Sequence, residues 1–349
     1  MRLGLNMGYW GAGNDAANLE LAKEADRLGY SVAWVAEAYG SDAPTVLAWV
    51  AAQTERIDVG SAILQIPARR PTMTAMTAAT LDTLSNGRFR LGLGVSGPQV
   101  SEGWYGVKFD KPLARTREYV DIVRMALRRE RVSYAGKHFL QPIPDGPGKP
   151  LKLTVHPVRE EIPIYLASIG PKNLELTGEI ADGWLAIFFS PEHGKESLEL
   201  IAKGRAKSGK TLEGFDVVPT TPIVVADDWQ KAADTVRPYA ALYVGGMGSR
   251  EQNFYNQLAC RMGYEKEAAE CQDLYLAKDY AGAAAKVPLG FIDDTTLLGP
   301  KERIAEKMQA LAAAGVTTLT VSPILQDLEQ AKAALRTAVD ALDLAGVGS

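Results

Sequence analysis

The feature that most constrains the fold is a unit that recurs along the chain. In this unit a helix stops near a glycine, and an apolar strand begins two or three residues later. Three copies are Leu28-Gly29-Tyr30 before Val32-Ala33-Trp34, Ala314-Gly315-Val316 before Thr318-Leu319-Thr320, and Ile180-Ala181-Asp182-Gly183 before Trp184-Leu185-Ala186. Strands that are apolar nearly throughout are typical of a parallel sheet that is buried on both faces. The unit therefore indicates parallel strands with helices packed around them.

The pattern predicts eight such strands, at about 2–7, 32–36, 57–64, 88–95, 162–167, 183–188, 215–226 and 317–321. Helices are predicted at about 14–28, 43–53, 71–86, 113–129, 300–315 and 328–344, with a long helical stretch over 229–286. Eight strands that alternate with helices favour an α/β (β/α)8 TIM barrel, and a doubly wound sheet is the alternative. We expect a single domain over residues 1–349. Insertion segments of about 98–112, 131–160 and 245–298 are expected to cover the barrel mouth.

The fourth strand carries Gly92-x-Gly94-x-x-Gly97, which matches the glycine pattern of dinucleotide-binding folds. In such folds the last glycine opens a helix directly, and an acidic residue follows about 20 positions later. Here the sequence predicts no clear helix before Pro112, and the motif follows three complete strand–helix units. We therefore expect Gly92 and Gly94 inside a barrel strand, where small residues let a neighbour approach. Ser96 and Gly97 would then lie at the carboxyl end of that strand, where barrel active sites are built.

The charge and apolar pattern exclude several kinds of partner. The formal net charge is -4, which gives no reason to expect a nucleic acid or an anionic membrane surface. The sequence has no run of 18 apolar residues, so it predicts no transmembrane helix. It opens on a strand without a basic and apolar leader, and we expect a cytoplasmic protein.

The residues that follow each strand would line the mouth. They are Asn6–Trp10, Glu37–Tyr39, Leu64–Ile66, Ser96–Gln99, Ser168–Pro171, Phe188–Ser190, Thr220–Pro222 and Ser322–Pro323. This set contains one carboxylate, Glu37, and neither histidine nor cysteine, which argues against a metal centre and against a Ser-His-Asp triad. It is rich in aromatic and small residues, which suits a flat organic cofactor that supplies the chemistry itself.

Ser168-Ile169-Gly170-Pro171 follows the fifth strand and opens a helix. Exposed backbone N–H groups and the helix dipole at such a corner favour an anion, so the segment is a candidate phosphate site. An ordinary strand–helix turn is the alternative.

Several segments together resemble the luciferase-like monooxygenase superfamily, and within it the oxidoreductases that depend on the deazaflavin coenzyme F420. The resemblance covers nearly the whole chain. It rests on Trp34-Val-Ala-Glu-Ala-Tyr39, Val59-Gly-Ser-Ala-Ile-Leu-Gln-Ile-Pro67, Pro71 to Phe89, Leu91-Gly-Leu-Gly-Val-Ser-Gly97, and Pro163-Ile-Tyr-Leu-Ala-Ser-Ile-Gly-Pro171 to Trp184.

This resemblance implies a (β/α)8 barrel and a cofactor site at its mouth. A non-proline cis peptide at Ala62-Ile63 would form a bulge, and Ile63 would press on one face of the deazaflavin ring. The phosphate would lie at Ser168, Ile169 and Gly170. The residues expected at the cofactor are Glu37, Ala62, Ile63, Leu64, Ser96, Gly97, Ser168, Ile169, Gly170 and Pro171. The resemblance also implies a homodimer.

The chain departs from the pattern of the family's sugar-phosphate dehydrogenases, which carry Asp-His after the second strand. Here the pair is Glu37-Ala38, so a glucose-6-phosphate activity is doubtful. Glu37 either contacts the cofactor, orients the pocket or stabilises the start of a helix. Glu102, Tyr9 and Tyr39 are the candidate proton donors, and an exposed loop position is the alternative for Glu102.

Three functions follow from these observations. The first is an oxidoreductase that transfers a hydride between F420 and a small organic substrate. The second is an FMN-dependent monooxygenase of the same superfamily. The acidic tail of F420 would favour basic residues near the phosphate site, for which Arg69, Arg70 and Lys172 are candidates. The third is a binding protein that carries a flavin or deazaflavin without catalysis.

Overall fold

The strands close into a parallel barrel. The computed structural model of the chain describes residues 1–11, 13, 15–324 and 327–349. Within these ranges eight parallel strands pair in chain order, and the eighth pairs with the first. Their bounds are β1 Arg2–Asn6, β2 Val32–Val35, β3 Asp58–Ser61, β4 Phe89–Gly94, β5 Ile164–Ala167, β6 Gly183–Ile187, β7 Asp216–Val225 and β8 Thr318–Pro323. The predicted (β/α)8 barrel is confirmed.

Helices surround the barrel and extend its mouth. Their bounds are Asp15–Arg27, Ala43–Ala52, Pro71–Leu84, Pro98–Gly103, Pro112–Leu127, Pro171–Ile180, Gly194–Lys207, Trp229–Ala241, Phe254–Arg261, Glu265–Leu276, Tyr280–Lys286, Leu289–Thr295, Lys301–Ala313 and Leu328–Ala345. Short strands at Leu64–Gln65, Tyr134–Ala135, Leu140–Gln141 and Leu297–Gly299, a 3-10 turn at Ile66–Ala68 and a π-helical turn at Leu242–Gly246 complete the regular structure of the described residues. The expected first helix start, Asn14, lies outside those residues.

The recurring glycines act for two different reasons. Gly29 and Gly315 follow helices with φ of +81° and +96°, a left-handed conformation that commonly ends a helix. Gly183 opens β6 instead, and a Cβ there would lie 2.4 Å from the ring of Tyr165. The third copy of the unit therefore needs its glycine for close packing inside the barrel, and not for the turn.

Polar side chains close the amino-terminal end of the barrel. Arg90 donates to Asp58 at 2.7 Å, and the Tyr165 hydroxyl donates to Asp216 at 2.9 Å. Arg90 also reaches Asp216 at 3.4 Å, and both side chains are almost fully buried. Because this network fills one end, a ligand site inside the barrel walls lies at the carboxyl ends of the strands.

Three segments differ from the sequence-based expectation. The third strand ends at Ser61 and resumes only at Leu64–Gln65, which pairs with β4. A short helix, Pro98–Gly103, directly follows Gly97, where the sequence predicts none before Pro112. The stretch from 229 to 286 is not one helix, because it is interrupted by a π-helical turn at Leu242–Gly246 and by the glycine-rich loop after it.

The expected insertion segments lie in different places. The segment 98–112 reaches β2, since the Tyr105 hydroxyl donates to the Ala38 carbonyl at 2.8 Å. Glu118, on the helix Pro112–Leu127, accepts the N–H groups of residues 137–139, and Arg159 pairs with buried Asp82. The segment 131–160 therefore packs along the helices Pro71–Leu84 and Pro112–Leu127. None of the helices in the described ranges has the length and apolar character that crossing a membrane requires.

Candidate active site

The end of β3 forms a bulge into the barrel mouth. The peptide bond Ala62-Ile63 is cis, at the bond that the family resemblance implies. The Ser61 hydroxyl donates to the Gly92 carbonyl at 2.8 Å and accepts the Gly92 N–H at 2.9 Å. A Cβ on Gly92 would lie 1.9 Å from the Ser61 carbonyl oxygen, and one on Gly94 would lie 2.8 Å from Ile63 Cδ1. The two glycines therefore make room for the bulge, as expected for small residues inside a barrel strand.

The floor of the mouth is apolar. Val32, Trp34, Tyr165, Leu185 and Val218 fill the barrel interior in one cluster. Ala62, Ile63 and Ala167 lie on top of this cluster and remain partly exposed. Such a floor can receive one face of a flat, apolar ring system.

Left-handed backbone follows three of the strands. The φ angles of Ala38 after β2, Ser96 after β4 and Phe188 after β6 are +45°, +63° and +50°. For residues other than glycine this conformation costs about 1–3 kcal/mol, and it clusters at functional sites. The sequence gives no sign that these three residues adopt a left-handed conformation, because none of them is a glycine. Gly97, next to Ser96, precedes the first turn of the helix Pro98–Gly103.

The turn after β5 presents backbone N–H groups. The helix Pro171–Ile180 begins after Gly170, and no side chain caps it. Among the residues that the structure describes, the N–H groups of Ile169 and Gly170 have no hydrogen-bond acceptor. A Cβ on Gly170 would meet no heavy atom within 4 Å. The turn is therefore open to an anion, with the helix dipole behind it.

Ser168 holds this turn in place and does not point freely to the mouth. Its hydroxyl accepts from Thr177 at 2.8 Å, and its carbonyl accepts from Trp184 Nε1 at 2.9 Å. The side chain is 4% exposed. A small cavity of about 30 Å³ adjoins Ser168 and Ile169. We call the backbone of Ser168–Gly170 the N–H seat.

Glu37 is 5% exposed and is engaged by the protein itself. Arg69 donates to both carboxylate oxygens, at 2.6 and 2.7 Å, and also pairs with Asp42 at 2.7 Å. Glu37 further accepts the N–H of Ala43, which opens a helix, and that of Gln65 beyond the bulge, both at 3.3 Å. Burial acts to lower the pKa of Arg69, but the hydrogen bond to Glu37 outweighs this effect and the pKa is raised. Glu37 therefore connects a helix start to the bulge, and Arg69 is not free to bind a cofactor tail.

The three candidate proton donors have different surroundings. Tyr9 is 44% exposed. Burial and the neighbouring hydroxyls of Tyr243 and Tyr39 raise the pKa of Tyr9 well above its ordinary value. Tyr39 is 63% exposed, and Glu102 is exposed and accepts the N–H of Phe109 at 2.9 Å. Of the two tyrosines, Tyr9 is the less exposed.

The sequence analysis did not single out three tyrosines of the helical segment after β7, namely Tyr239, Tyr243 and Tyr255. The Tyr243 ring lies 5.7 Å from that of Phe188, which follows β6. The four-residue spacing of Tyr239 and Tyr243, which places both on one helix face, was the available signal.

A larger cavity, of about 200 Å³, lies beside the carboxyl end of β4 and the segment 98–112. It is bounded by the starts of the helices Pro71–Leu84 and Pro112–Leu127 and by Phe139. Its lining includes Ile66 of the mouth and the two tail candidates Arg69 and Arg70, but none of the residues expected at the ring or at the phosphate. We therefore assign the ring and phosphate site from the strand ends and not from cavity size.

Comparison with known proteins identifies relatives over nearly the full length. A family model described as luciferase-like monooxygenase matches residues 8–318. A candidate coenzyme F420-dependent oxidoreductase of Mycobacterium tuberculosis is 44% identical over 329 residues, which is 92% of this chain and 95% of that protein. A 5,10-methylenetetrahydromethanopterin reductase of Archaeoglobus fulgidus is 29% identical over 307 residues, 87% of this chain and 89% of that one.

A similar fold is found in a solved structure. The coenzyme F420-dependent tetrahydromethanopterin reductase of Methanopyrus kandleri gives a TM-score of 0.82 at 24% identity, over 97% of both chains. At this identity the likeness establishes the shared barrel fold.

Proposed function

Because the chain belongs to the luciferase-like monooxygenase family, we propose that it is an oxidoreductase that transfers a hydride between F420 and a small organic substrate. The observation that carries the proposal is the open N–H seat beside an apolar floor at one barrel mouth. F420 is favoured over FMN because two of the relatives described above have F420 dependence in their names.

The residues present fit this cofactor. Ala62, Ile63 and Ala167 offer a flat apolar surface for the ring system. The N–H groups of Ile169 and Gly170 offer donors to a phosphate, and the helix that starts at Pro171 adds its dipole. When bound, the reduced deazaflavin supplies the hydride, while the protein supplies position and exclusion of water.

Each expected site residue except Leu64 receives a role in this proposal. Ile63 supports the ring from the bulge, with Ala62 before it. The expectation for the Leu64 side chain is wrong, because it is 1% exposed and packs in the main core instead of the barrel floor. Ser96 and Gly97 line the ring edge after β4. Ser168, Ile169, Gly170 and Pro171 form the phosphate site. Glu37 acts at one remove, because its carboxylate is held by Arg69 and orients the bulge through Gln65.

A proton must reach the substrate when a carbonyl or imine is reduced. Tyr9 is the proposed donor, because it follows β1 at the mouth and carries a hydroxyl that is protonated at neutral pH. Tyr39 and Glu102 remain the further candidates, on a more exposed rim.

We expect Gly170→Asp to weaken F420 binding by at least about 30-fold, on the order of 2 kcal/mol. The backbone of Gly170 is extended, with φ of -78°, and has space for a side chain, so the fold tolerates the change. The new carboxylate would occupy the N–H seat and repel the phosphate. Fluorescence titration with F420 measures the affinity, and thermal unfolding reports the fold.

The matched control is Gly170→Asn, which has the same shape without the charge. It should retain most of the F420 affinity, while both variants cap the helix and keep the thermal midpoint. Equal F420 affinity of wild type and Gly170→Asp would show that the phosphate lies elsewhere.

We also propose a homodimer that forms through the helices Ala43–Ala52 and Pro71–Leu84. These helices expose Trp49, Met73 and Met76 by 44%, 51% and 49%. A patch of large apolar side chains on a water-facing surface is typical of an interface. Met76→Glu should therefore halve the mass measured by light scattering, because a two-fold interface meets the new charge twice.

Leu276→Glu serves as the control, since Leu276 is 43% exposed in the mouth insertion, away from that patch. Its mass should equal that of the wild type. A monomeric wild-type protein, or a Met76→Glu dimer, would contradict the proposed interface.

A further inference from the structure

The insertion after β7 carries a continuous aromatic wall toward the mouth. The rings of Tyr239 and Tyr243 lie 4.9 Å apart, and those of Tyr243 and Tyr255 also lie 4.9 Å apart. Phe188, at the end of β6, contacts Tyr239 and Tyr243 at ring distances of 5.9 and 5.7 Å. The wall therefore begins at the barrel itself and rises into the insertion.

Asn253 fixes two of these tyrosines relative to each other. Its amide nitrogen donates to the carbonyls of Tyr243 and Val244, at 3.0 and 2.9 Å. Its amide oxygen accepts the N–H groups of Tyr255 and Asn256, both at 2.9 Å. Since Asn253 is 1% exposed, these bonds are shielded from water. Tyr243 itself lies in the π-helical turn Leu242–Gly246, and such turns are frequent at functional sites.

Tyr9 extends the wall from the side of β1. Besides burial, the neighbouring Tyr243 raises the pKa of Tyr9, and the neighbouring Tyr9 raises that of Tyr255. Burial raises the pKa of Tyr243 and that of Tyr255 to about 12. The hydroxyls therefore stay protonated at neutral pH and can donate hydrogen bonds. We call Tyr9, Tyr239, Tyr243 and Tyr255 the tyrosine wall.

The hydroxyls of the wall are not fully satisfied by the protein. Burial and the neighbouring Tyr243 hydroxyl raise the pKa of Tyr239. In the described part of the chain, the hydroxyls of Tyr9 and Tyr255 have no hydrogen-bond partner. Each tyrosine also keeps part of its surface accessible. Because these donors are accessible and have no partner in the described residues, they are free to bond to water or to a ligand.

We propose that the tyrosine wall is the subsite for the organic substrate and that it takes an uncharged compound with a ketone, aldehyde or enone oxygen. The hydroxyls donate to this oxygen, and the hydrocarbon part packs on the accessible faces of the tyrosine rings. A charged substrate would lose its hydration against a wall that offers no opposite charge. The inference rests on the proposed function, because it assigns the second reactant to the same mouth.

The test uses the full-length protein without cofactor and three ring compounds of similar size. Cyclohex-2-enone carries the carbonyl, cyclohexene lacks it, and cyclohex-1-ene-1-carboxylate carries a charge instead. Binding is measured by ligand-observed NMR titration. We expect cyclohex-2-enone to bind most tightly of the three. Tyr243→Phe and Tyr255→Phe, which keep the ring and remove only the hydroxyl, should each weaken its binding about 5- to 10-fold.

Tyr280→Phe is the control, since Tyr280 lies in the same insertion and is 55% exposed. It should leave the enone affinity unchanged. The inference is overturned if the wild type does not bind the enone, if the carboxylate binds more tightly, or if both wall variants bind like the wild type. None of these outcomes depends on F420. Failure of F420 to bind would therefore count against the proposed function alone. An enone affinity that is the same in the wild type and in both tyrosine variants would count against the tyrosine wall alone.

Discussion

Replacing Gly92 by alanine is expected to remove more than about 4 kcal/mol from the free energy of unfolding, or to prevent folding. The new methyl group would lie 1.9 Å from the Ser61 carbonyl oxygen, which is backbone and cannot rotate away. Ser61 is also tied to Gly92 by two hydrogen bonds, so β3 and β4 would have to separate. Urea-induced unfolding of the purified variant measures the loss.

Two further glycine-to-alanine substitutions should cost less stability than Gly92→Ala, in proportion to the space around each added methyl group. Gly94→Ala should cost less, because its methyl group would meet the end of the Ile63 side chain at 2.8 Å, and that side chain can shift. Gly103→Ala should cost little, since no heavy atom lies within 4 Å of the added carbon. A Gly92→Ala protein as stable as Gly103→Ala would show that β3 and β4 do not approach as described.

Replacing Arg69 by methionine is expected to cost about 3–5 kcal/mol of stability and to weaken F420 binding. Glu37 would keep its buried charge without its two bonds to the guanidinium. Its remaining donors are the N–H groups of Ala43 and Gln65, at 3.3 Å. Because Gln65 follows the bulge, the loss also reaches the proposed ring site. Chemical unfolding and F420 titration measure the two effects.

The double variant Glu37→Gln with Arg69→Met should recover part of that stability, since no uncompensated charge remains. Arg70→Met is the matched control, because Arg70 is the exposed neighbour. If Arg69→Met were no less stable than Arg70→Met, the Glu37–Arg69 pair would contribute nothing to the fold.

The barrel could be predicted from the sequence because its strands are apolar on both faces and its helices stop at regular signals. Buried β2 is uniformly apolar, and buried β4 is apolar or glycine except for Arg90. Element ends were less predictable. The third strand looks continuous in sequence, but it ends at Ser61. There the Ser61 hydroxyl bonds to the backbone of Gly92 in β4.

The site was predicted only in part, for reasons that differ between residues. Gly92 and Gly94 could be placed inside a strand, because two glycines among apolar residues indicate close approach. The bulge at Ala62-Ile63 came from resemblance, since no local pattern encodes it. The pairing of Glu37 with Arg69 spans 32 positions and depends on how two loops meet, which residue spacing does not specify.

The tyrosines of the insertion show a second limit. A helical region over the mouth was expected, but the orientation of its helices depends on the turn at Leu242–Gly246 and on Asn253. Only the tertiary contacts with Phe188 show that Tyr239 and Tyr243 face the barrel.

The most direct test of the proposed function is a pair of equilibrium titrations of the wild-type protein, one with F420 and one with FMN, each followed by cofactor fluorescence. We expect F420 to bind at least about 10-fold more tightly than FMN, with the difference lost in Gly170→Asp. Tighter binding of FMN would instead indicate a flavin-dependent monooxygenase. Binding of neither cofactor would contradict the assignment of the N–H seat and the apolar floor.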